Sequence, residues 1–295
     1  MFNRSVYFLS LLLFCSCGDK VIEKKTRTLS EEFKNYWYNG EAEITSYKLT
    51  QARYGELREG TAVKIFVTED FLPGEQVKAN NANADNISVL KLNSTKNFIT
   101  GIYPYSIMES CFYPLAIDSH ALKISASIQE WCGQVYMQLN NRHKYEVKSH
   151  SYFAGEADKE QRIEKVALEN EIWTKIRVLP NDLPVGNFEM LPSFEFLRLS
   201  HKETKPYSAR GEYFTEDSLH IYSLEYPELN RKLKIYFTRS FPHSIERWEE
   251  TYPSGSGKDA EILTTIAKKK QRIKTAYWKQ NSNKHIYLRD KLELN

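Results

Sequence analysis

The sequence lacks an excess of charge of either sign, and it has no long hydrophobic run after its first residues. Its 41 basic residues, one of which is Arg4, stand against 38 acidic ones. A nucleic-acid-binding protein needs a concentrated basic face, so we expect no nucleic-acid partner. No stretch beyond residue 17 approaches the roughly 18 apolar residues of a membrane-spanning helix, and we expect no later span.

Alanine, a strong helix former, is scarce, whereas tyrosine (19) and phenylalanine (15) are abundant. That balance favours strands. Hydrophobic residues make up 41% of the chain and aromatic residues 13%, which is too apolar for a disordered protein and ordinary for a globular one. Residues 29–295 form the expected globular body, which is long enough for one large all-β domain or two smaller ones.

The first 17 residues, MFNRSVYFLSLLLFCSC, have the pattern of an export signal. Arg4 supplies the positive charge, residues 6–14 form an apolar run too short to span a bilayer, and Ser16 is a small residue at the cleavage point. A cysteine directly after the small residue is typical of a bacterial lipoprotein signal. The pattern predicts a signal peptide over residues 1–16 and a lipid on Cys17, the alternative being an ordinary secretory signal that ends in cysteine.

Lipidation would determine where the protein resides. Each buried CH₂ contributes about 0.8 kcal/mol, so two or three acyl chains such as palmitate hold a protein on a membrane almost permanently. Residues 17–28 are mostly polar and predict a tether between the lipid and the body. We therefore expect a lipid-anchored protein of the cell envelope that resides at the outer membrane. The sequence is compatible with either the periplasmic or the surface side of that membrane.

Only two cysteines follow the signal, Cys111 and Cys132. In an exported protein two such residues can pair, and each lies in a strand-like segment, so neighbouring strands could bring them together. Two free thiols that act as small hydrophobic residues are the equal alternative. A single cysteine nucleophile is a third interpretation, with no local Cys/His motif in its favour.

The body is predicted to be mainly β: an antiparallel meander that forms a curved sheet, an open barrel or a sandwich. Thr28 and Glu31 fit a capping box for a short N-terminal helix that ends near Gly40. Alternating segments separated by turn residues then predict a hairpin over residues 41–67, with its loop near residues 58–61. Further strands are predicted at residues 87–92, 97–105, 121–131, 134–140 and 145–153, after a long surface loop over residues 72–86.

Residues 155–170, GEADKEQRIEKVALEN, break the β pattern and predict a helical crossover, because their apolar residues recur at helical spacing. The following loop, residues 180–187, is the candidate boundary if the body has two halves. Beyond it the alternation returns, with turn signals every 8–15 residues. Strands are predicted at residues 193–199, 209–214, 219–226, 232–239, 244–252, 262–278 and 285–288.

No motif for catalysis, a cofactor or a metal emerges. The run at residues 254–258, SGSGK, has the end of a phosphate-binding loop but lacks its first glycine and its final hydroxyl. Asp118 and His120 are adjacent residues of a loop, which rarely form a catalytic pair. The string Trp131-Cys132-Gly133 is interpreted as a buried aromatic, a small core residue and a bulge or a tight approach at the glycine. We therefore expect no cofactor and no metal site.

Four cations recur at alternate positions of one predicted strand: Lys268, Lys270, Arg272 and Lys274. Strand alternation would place them on one face, which usually indicates a solvated or edge strand. The alternative is contact with anionic lipid headgroups or polysaccharide. The aromatic strings at residues 36–38 and 103–105 could stack on a sugar, but core packing is the more common role of such residues.

Two segments carry a family resemblance: residues 36–71, YWYNGEAEITSYKLTQARYGELREGTAVKIFVTEDF, and residues 129–142, QEWCGQVYMQLNNR. They resemble the opening and the middle of an uncharacterised Bacteroidota lipoprotein family. Some of its members are labelled septum formation inhibitor Maf, which implies a nucleotide pyrophosphatase. This chain lacks the Ser-x-x-Arg-Arg signature and the α/β pattern of that enzyme. The resemblance therefore implies a location and a class but carries over no catalytic residue.

Three functions follow as hypotheses. The first is a non-catalytic, membrane-anchored envelope protein that binds a lipid, a glycan or an envelope protein through a β-sheet surface or cavity, and it predicts an aromatic-lined cavity. The second is an envelope hydrolase acting on glycans or esters, which predicts two carboxylates in a cleft or a thiol or hydroxyl near a histidine. The third is a structural partner in an envelope complex, which predicts an exposed apolar patch.

Overall fold

The fold is taken from a computed structural model that describes residues 26–255, 257 and 260–294. The predicted signal peptide and Cys17 lie outside these residues, so lipidation of Cys17 stays a prediction. Within the described residues, none of the helices is long and apolar enough to cross a membrane.

Strands make up most of the described chain, and the helices are short. The four α-helices are α1 (Glu31–Trp37), α2 (Glu169–Val178), α3 (Phe194–Leu199) and α4 (Tyr287–Lys291). The strands are β1 (Ala42–Arg53), β2 (Glu56–Leu72), β3 (Val77–Lys78), β4 (Ile87–Thr100), β5 (Tyr103–Pro114), β6 (Lys123–Glu130), β7 (Gly133–Asn141), β8 (Tyr145–Ser151), β9 (Lys159–Ile163), β10 (Ala167–Leu168), β11 (Gly186–Leu191), β12 (Tyr207–Glu216), β13 (Leu219–Tyr226), β14 (Arg231–Thr238), β15 (Ile245–Ser254) and β16 (Glu261–Thr275).

All 16 strands belong to one sheet, ordered β10-β11-β12-β13-β14-β15-β16-β1-β2-β4-β5-β6-β7-β8-β9, with β3 added to β2. Every pairing is antiparallel except that of β10 with β11. The last strand, β16, pairs with the first, β1, along most of its length. The prediction of a mainly β, antiparallel meander with a short N-terminal helix and one helical crossover is confirmed.

The sheet curls until its two edges are close, although they do not pair with each other. Its edge strands, β9 and β10, are joined by residues 164–166 alone. Four residues of extended chain span at most about 14 Å, which limits the distance between Ile163 and Ala167. The concave side is thus nearly enclosed by strands.

Helix α2 lies inside this curl. It is buried on every face, since residues 169–172, 174, 176 and 177 are all buried. Ile172 and Ile176 pack in the main core, together with Phe194, Phe196 and Leu197 of α3. Polar side chains of α2 reach strands on different sides of the curl, as the ion pairs described below show. A polar helix can be buried here because each of its charges meets a partner.

One main core, with two smaller clusters beside it, takes residues from both halves of the described chain. The main hydrophobic cluster takes residues from before and after the loop at residues 180–187, and the sheet is continuous across that loop. The body begins before residue 29, because Thr26 forms a β-bridge with Ile117 and Arg27 donates to the carbonyl oxygens of Pro114 and Leu115. The last residues of the predicted tether are therefore part of the folded body.

Several predicted boundaries were wrong. The N-cap of α1 is Ser30, whose hydroxyl accepts from the Phe33 N–H, and not Thr28. The turn of the first hairpin lies at Tyr54 and Gly55, both with positive φ, and not at residues 58–61. Residues 87–100 form one strand, where two had been predicted on either side of residue 95.

Three segments have a different secondary structure from the predicted one. Residues 159–163 form a strand within the segment predicted as a helix, and the helical crossover α2 begins only at Glu169. The predicted strand at residues 193–199 is helix α3, capped by Ser193, whose hydroxyl accepts from the Phe196 N–H. The predicted strand at residues 285–288 contributes instead to a 3₁₀ turn and to α4.

Candidate functional site

The interior of the curl holds a cluster of paired charges. Arg231 on β14 donates to both oxygens of Glu169 on α2, at 2.5 and 2.6 Å, and its Nε donates to Glu250 on β15 at 2.7 Å. Lys96 on β4 donates to Glu195 on α3 at 2.7 Å. These bonds join α2 and α3 to strands across the sheet, so the cluster positions both helices.

Lys64 on β2 is the unusual member of this cluster. Its ammonium lies 3.6 Å from the ring centroid of Trp173 and 4.6 Å from that of Trp248, and it donates to Ser94 Oγ at 3.1 Å. Burial, and then the charge of Lys96, lower the pKa of Lys64 to about 7. This amine is therefore close to half-protonated at neutral pH.

Glu109 on β5 lies in the same cluster. Its Oε1 accepts from Asn170 Nδ2 at 2.9 Å and from the Glu195 N–H at 3.0 Å. Burial, and then the charge of Glu195, raise the pKa of Glu109 to about 7. Perturbed groups of this kind are typical of functional sites and also of structural ion-pair networks. The cavity between them is only about 30 Å³, room for one or two waters, so the network is structural.

A larger concave surface lies at one end of the sheet, which we call the rim. In an antiparallel meander alternate connections lie at the same end. The rim is formed by the connections β1–β2, β4–β5, β6–β7, β8–β9, β13–β14 and β15–β16, together with the C-terminal end of α3. Its main cleft has a volume of about 540 Å³ and is lined by Arg53, Tyr54, His201 and Tyr252, among others.

Arg53 is the central side chain of this cleft. Its Nη1 donates to the Leu199 carbonyl oxygen at 2.6 Å, and its Nη2 donates to the hydroxyls of Tyr54 and Tyr105 at 3.0 and 3.1 Å. The guanidinium also lies 4.0 Å above the ring of Tyr54. The turn at Tyr54 and Gly55 and the end of α3 therefore place a rigid, planar cation in the cleft.

Two smaller pockets, of about 90 and 240 Å³, adjoin the cleft and share lining residues with it. His201 Nδ1 donates to Glu156 Oε1 at 2.5 Å, and Arg198 lies 3.3 Å from the same carboxylate. Arg198 also lies 4.4 Å above the Phe153 ring. Glu156 thus compensates the charge of Arg198 and orients His201.

Exposed aromatic rings surround the pockets. Trp131 is 68% exposed and stacks on Tyr103, with centroids 6.3 Å apart at 30°, and Tyr152 is 73% exposed. The prediction that Trp131 is buried was wrong, because Trp131 and Cys132 occupy the tip of the β6–β7 hairpin. The close approach at Gly133 is confirmed, since a Cβ there would lie 2.8 Å from the Tyr152 ring.

The two cysteines do not meet. Cys111 is buried opposite Ile124 within the sheet, whereas Cys132 is exposed at the hairpin tip beyond Glu130, and both are free thiols. The disulfide interpretation is corrected accordingly: six register positions of the β5–β6 ladder separate Ile124 from Glu130, so the neighbouring strands hold the cysteines at different heights.

The four cations of β16 do not share a face. A bulge between Thr45 and Tyr47 shifts the register of β16 against β1, which breaks the alternation. Lys268 is exposed, whereas the other three side chains are engaged: Lys270 with Glu293, Arg272 with Glu43 and Glu246, and Lys274 with the Tyr36 carbonyl oxygen and ring. Because β16 lies between β15 and β1, it is not an edge strand.

The two loop residues Asp118 and His120 each contact a different side chain. Asp118 lies 3.5 Å from Arg27, and His120 Nδ1 lies 2.8 Å from Glu171 on α2. Of the aromatic strings, Trp37 and Tyr105 are buried, whereas Tyr103 belongs to the exposed stack. The described residues contain no group of three or more His, Cys, Asp or Glu side chains that could hold a metal ion.

The sequence did not identify the residues that line the rim. Arg53, Glu156 and the neighbouring pair Arg198 and His201 come from three distant segments, and no local motif joins them. The available signal was indirect: Tyr54-Gly55 is a turn dipeptide whose glycine takes positive φ, and turn tips of a meander gather at one end of the sheet.

Comparisons with known proteins add little. No protein-family model matches the chain, and no curated protein is significantly similar to it. Among solved structures it matches a porin-like protein from Bacteroides uniformis ATCC 8492 at 8% identity, over 78% of this chain and 95% of that chain, with a TM-score of 0.23. A TM-score this low supports no inference about this chain. The resemblance to an uncharacterised lipoprotein family stays a prediction.

Proposed function

We propose that this chain is a lipid-anchored, non-catalytic protein of the cell envelope that binds a glycan at the rim. The observation that carries the proposal is the stack of the exposed Trp131 on the half-buried Tyr103. The residues on either side of Trp131, Glu130 and Cys132, line the pocket of about 90 Å³ that shares Arg53 with the main cleft. A single exposed hydrophobic side chain is common, but adjoining aromatic rings on surface loops are typical of interaction sites.

The chemistry of a sugar ring fits this combination. Its C–H face is apolar and can lie flat on an aromatic ring, whereas its hydroxyls require hydrogen-bond partners. The stacked rings provide the flat surface, and the guanidinium of Arg53 and the carboxylate of Glu156 are planar polar groups at the cleft and at an adjoining pocket. Binding sites for small ligands combine these two kinds of surface.

A lipid inside the curl is a weaker interpretation. The concave side is occupied by α2 and α3, and their charged residues are paired with the sheet. The cavity among those charges, about 30 Å³, is far too small for an acyl chain. A ligand would therefore bind at the rim, outside the core.

The proposed anchor is compatible with an accessible rim. Thr26, the first described residue, bridges Ile117 in the connection between β5 and β6. That connection lies at the opposite end of the sheet from the turn at Tyr54 and Gly55. A lipid on Cys17 would join the body near Thr26, at the end of the sheet opposite the rim. The rim would then be free to face away from the membrane that holds the lipid.

A glycan array tests the proposal. Wild-type protein should bind a subset of the printed glycans, and Trp131→Ala should lose most of that binding without a change in stability, because Trp131 is 68% exposed. Ile102→Ala is the matched control, since Ile102 is 82% exposed on the neighbouring hairpin tip. Equal binding by wild type and Trp131→Ala, or no glycan bound by wild type, would contradict the proposal. An equal loss in Ile102→Ala would indicate a general apolar docking surface instead.

Hydrolysis of esters is a second candidate with one observation in its favour: Cys132 and His201 line the same pocket of about 90 Å³. However, a hydrogen bond to Glu130 raises the pKa of the Cys132 thiol, and the thiolate is the reactive form. Hydrolysis of p-nitrophenyl acetate that is lost in Cys132→Ala would support this candidate. Absence of hydrolysis in the wild type, or hydrolysis unchanged in Cys132→Ala, would exclude Cys132 as a nucleophile for this ester.

A further inference from the structure

Among the described residues, Arg53 is a mostly buried cation whose partners are all neutral. Its two terminal nitrogens donate to a carbonyl oxygen and to two tyrosine hydroxyls, and its buried Nε has no protein acceptor. No carboxylate of the described residues forms a salt bridge with it. A guanidinium withdrawn from water without an anion is unfavourable, so a group that supplies negative charge would stabilise it.

Arg198, which lines the two adjoining pockets, differs from Arg53 because it has a carboxylate partner. Arg198 lies 3.3 Å from Glu156, so its charge is compensated within the protein. Glu130, which lines the smaller pocket, accepts from the Cys132 N–H. Among the described residues, neither Glu156 nor Glu130 forms a salt bridge with Arg53, so no carboxylate of these pockets pairs with its charge.

The residues that line the main cleft also favour a negatively charged ligand. Among its described lining residues, the ionisable side chains are those of Arg53, Tyr54, His201, Lys202 and Tyr252, with no Asp or Glu. The remaining surface includes the rings of Phe196 and Tyr252. The cleft is thus cationic on one side and apolar on another, a combination suited to a ligand with an oxyanion and an apolar face.

We infer that this cleft is an oxyanion subsite in which Arg53 binds the carboxylate or phosphate of an acidic saccharide. The inference rests on the proposed glycan-binding function and narrows it to acidic glycans. The planar guanidinium of Arg53 suits a carboxylate or a phosphate, Lys202 adds an ammonium along the same wall, and His201 adds an imidazole there. The aromatic stack at Trp131 would hold a neighbouring sugar of the chain.

Side-chain NMR tests the subsite directly. The ¹H–¹⁵N signals of the arginine Nε groups are followed in the full chain while D-glucuronate, D-glucose or inorganic phosphate is added. D-glucose is the matched neutral probe, because it differs from D-glucuronate in lacking the carboxylate. The Arg53 Nε signal should shift with D-glucuronate and phosphate but not with D-glucose, and added NaCl should weaken both shifts.

Substitutions distinguish the effect of a lost charge on D-glucuronate binding from the effect of lost packing. Arg53→Gln should weaken D-glucuronate binding about tenfold or more, because it removes a charged hydrogen-bond donor. Arg53 also supports Leu199 and Tyr54, so Lys202→Gln serves as a second variant: it removes an exposed charge of the cleft and should weaken binding about threefold. Lys268→Gln, which removes an exposed lysine on β16 outside the cleft, should leave binding unchanged.

The outcomes distinguish this inference from the glycan proposal. If the wild type binds neutral and acidic glycans equally on the array, and D-glucuronate leaves the Arg53 signal unmoved, the oxyanion subsite is overturned while glycan binding stands. If no glycan binds, the proposed function fails whatever the Arg53 signal does. A shift with phosphate but not with D-glucuronate would overturn a carboxylate as the ligand group and support the phosphate of a phosphorylated saccharide. Binding of phosphatidylglycerol vesicles without D-glucuronate binding would replace it with a lipid headgroup.

Discussion

Arg177 and Glu43 form a two-bond ion pair across the interior of the protein, with both N–O distances at 2.7 Å. Their side chains are 1% and 0% exposed. Tyr36 on α1 donates to the same carboxylate at 2.5 Å, and Arg177 Nε donates to the Pro242 carbonyl oxygen at 2.7 Å. One buried pair therefore connects α2 with β1, with α1 and with the connection that precedes β15.

Removal of one partner of this pair should be strongly destabilising. Arg177→Met removes the two-bond cation of the buried Glu43 carboxylate and leaves only Arg272 at 3.6 Å, and loss of such a partner typically costs about 3–5 kcal/mol. The double variant Arg177→Met/Glu43→Leu should recover most of that loss, because no unpaired charge remains. Urea unfolding measures both. Lys148→Met, which breaks an exposed pair with Glu160, is the control and should cost less than about 1 kcal/mol. A similar small cost for Arg177→Met would contradict the prediction.

Acid should weaken the protein through the same carboxylate. Burial alone would raise the pKa of Glu43, but Arg177 and Arg272 outweigh burial and lower it from 4.5 to about 2. The folded state therefore binds fewer protons than the unfolded chain between pH 4.5 and 2. The stabilisation, about 3 kcal/mol, is present above pH 4.5 and is lost as the pH falls towards 2. Unfolding free energies at several pH values should show this fall, and Glu43→Gln should flatten it; a parallel fall in both proteins would exclude Glu43 as its source.

Lys64 should also make stability rise with pH, but in the neutral-to-alkaline range. Its folded pKa of about 7 lies below the ordinary 10.5, so between these values the unfolded chain binds the extra proton. The stability of the wild type relative to Lys64→Met should therefore rise with pH, by up to about 1.4 kcal/mol per pH unit in this window. Urea unfolding at pH 7.5 and 9 measures the difference. Lys268→Met, at an exposed position, should show no such trend, and equal slopes for the two variants would refute the assignment.

The two thiols of the body should react at very different rates with Ellman's reagent. Cys132 is exposed at a hairpin tip, whereas Cys111 is buried, and burial raises its thiol pKa well above the ordinary value. Cys132→Ala should remove a thiol that reacts in the native protein, and Cys111→Ala one that reacts only after unfolding. Equal native reactivity of the two variants would contradict the prediction, because it requires equally accessible thiols at an exposed and a buried position.

Local pattern was sufficient where a strand has one face in the core and one in solvent. The predicted strand at residues 219–226 matches β13, and the neighbouring strands β12, β14 and β15 lie within a few residues of their predictions. The pattern failed for α3, whose six residues are all buried. A segment buried on every side has no polar face to set its period, so FEFLRL reads equally well as a strand.

The local sequence pattern also failed to predict the start of α2 and the burial of its charged residues. Ile163, Val166 and Ala167 suggested a helix before residue 170, but residues 159–163 complete the sheet edge, and α2 starts only at Glu169. Helix α2 carries Glu169, Glu171 and Arg177 into the core, which no amphipathic pattern predicts. Their partners lie far away in sequence, on β14, before β6 and on β1.

The sequence by itself determined the class of fold, because alternation and turn residues are local properties of the chain. It also determined the predicted anchor at Cys17, which depends only on a contiguous signal. The tertiary structure alone decided the pairing of β16 with β1, the bulge that scatters the β16 lysines, and the separation of Cys111 from Cys132. It also decided the rim, since a cleft lined by Arg53 and His201 exists only after the sheet has curled and brought distant turns together.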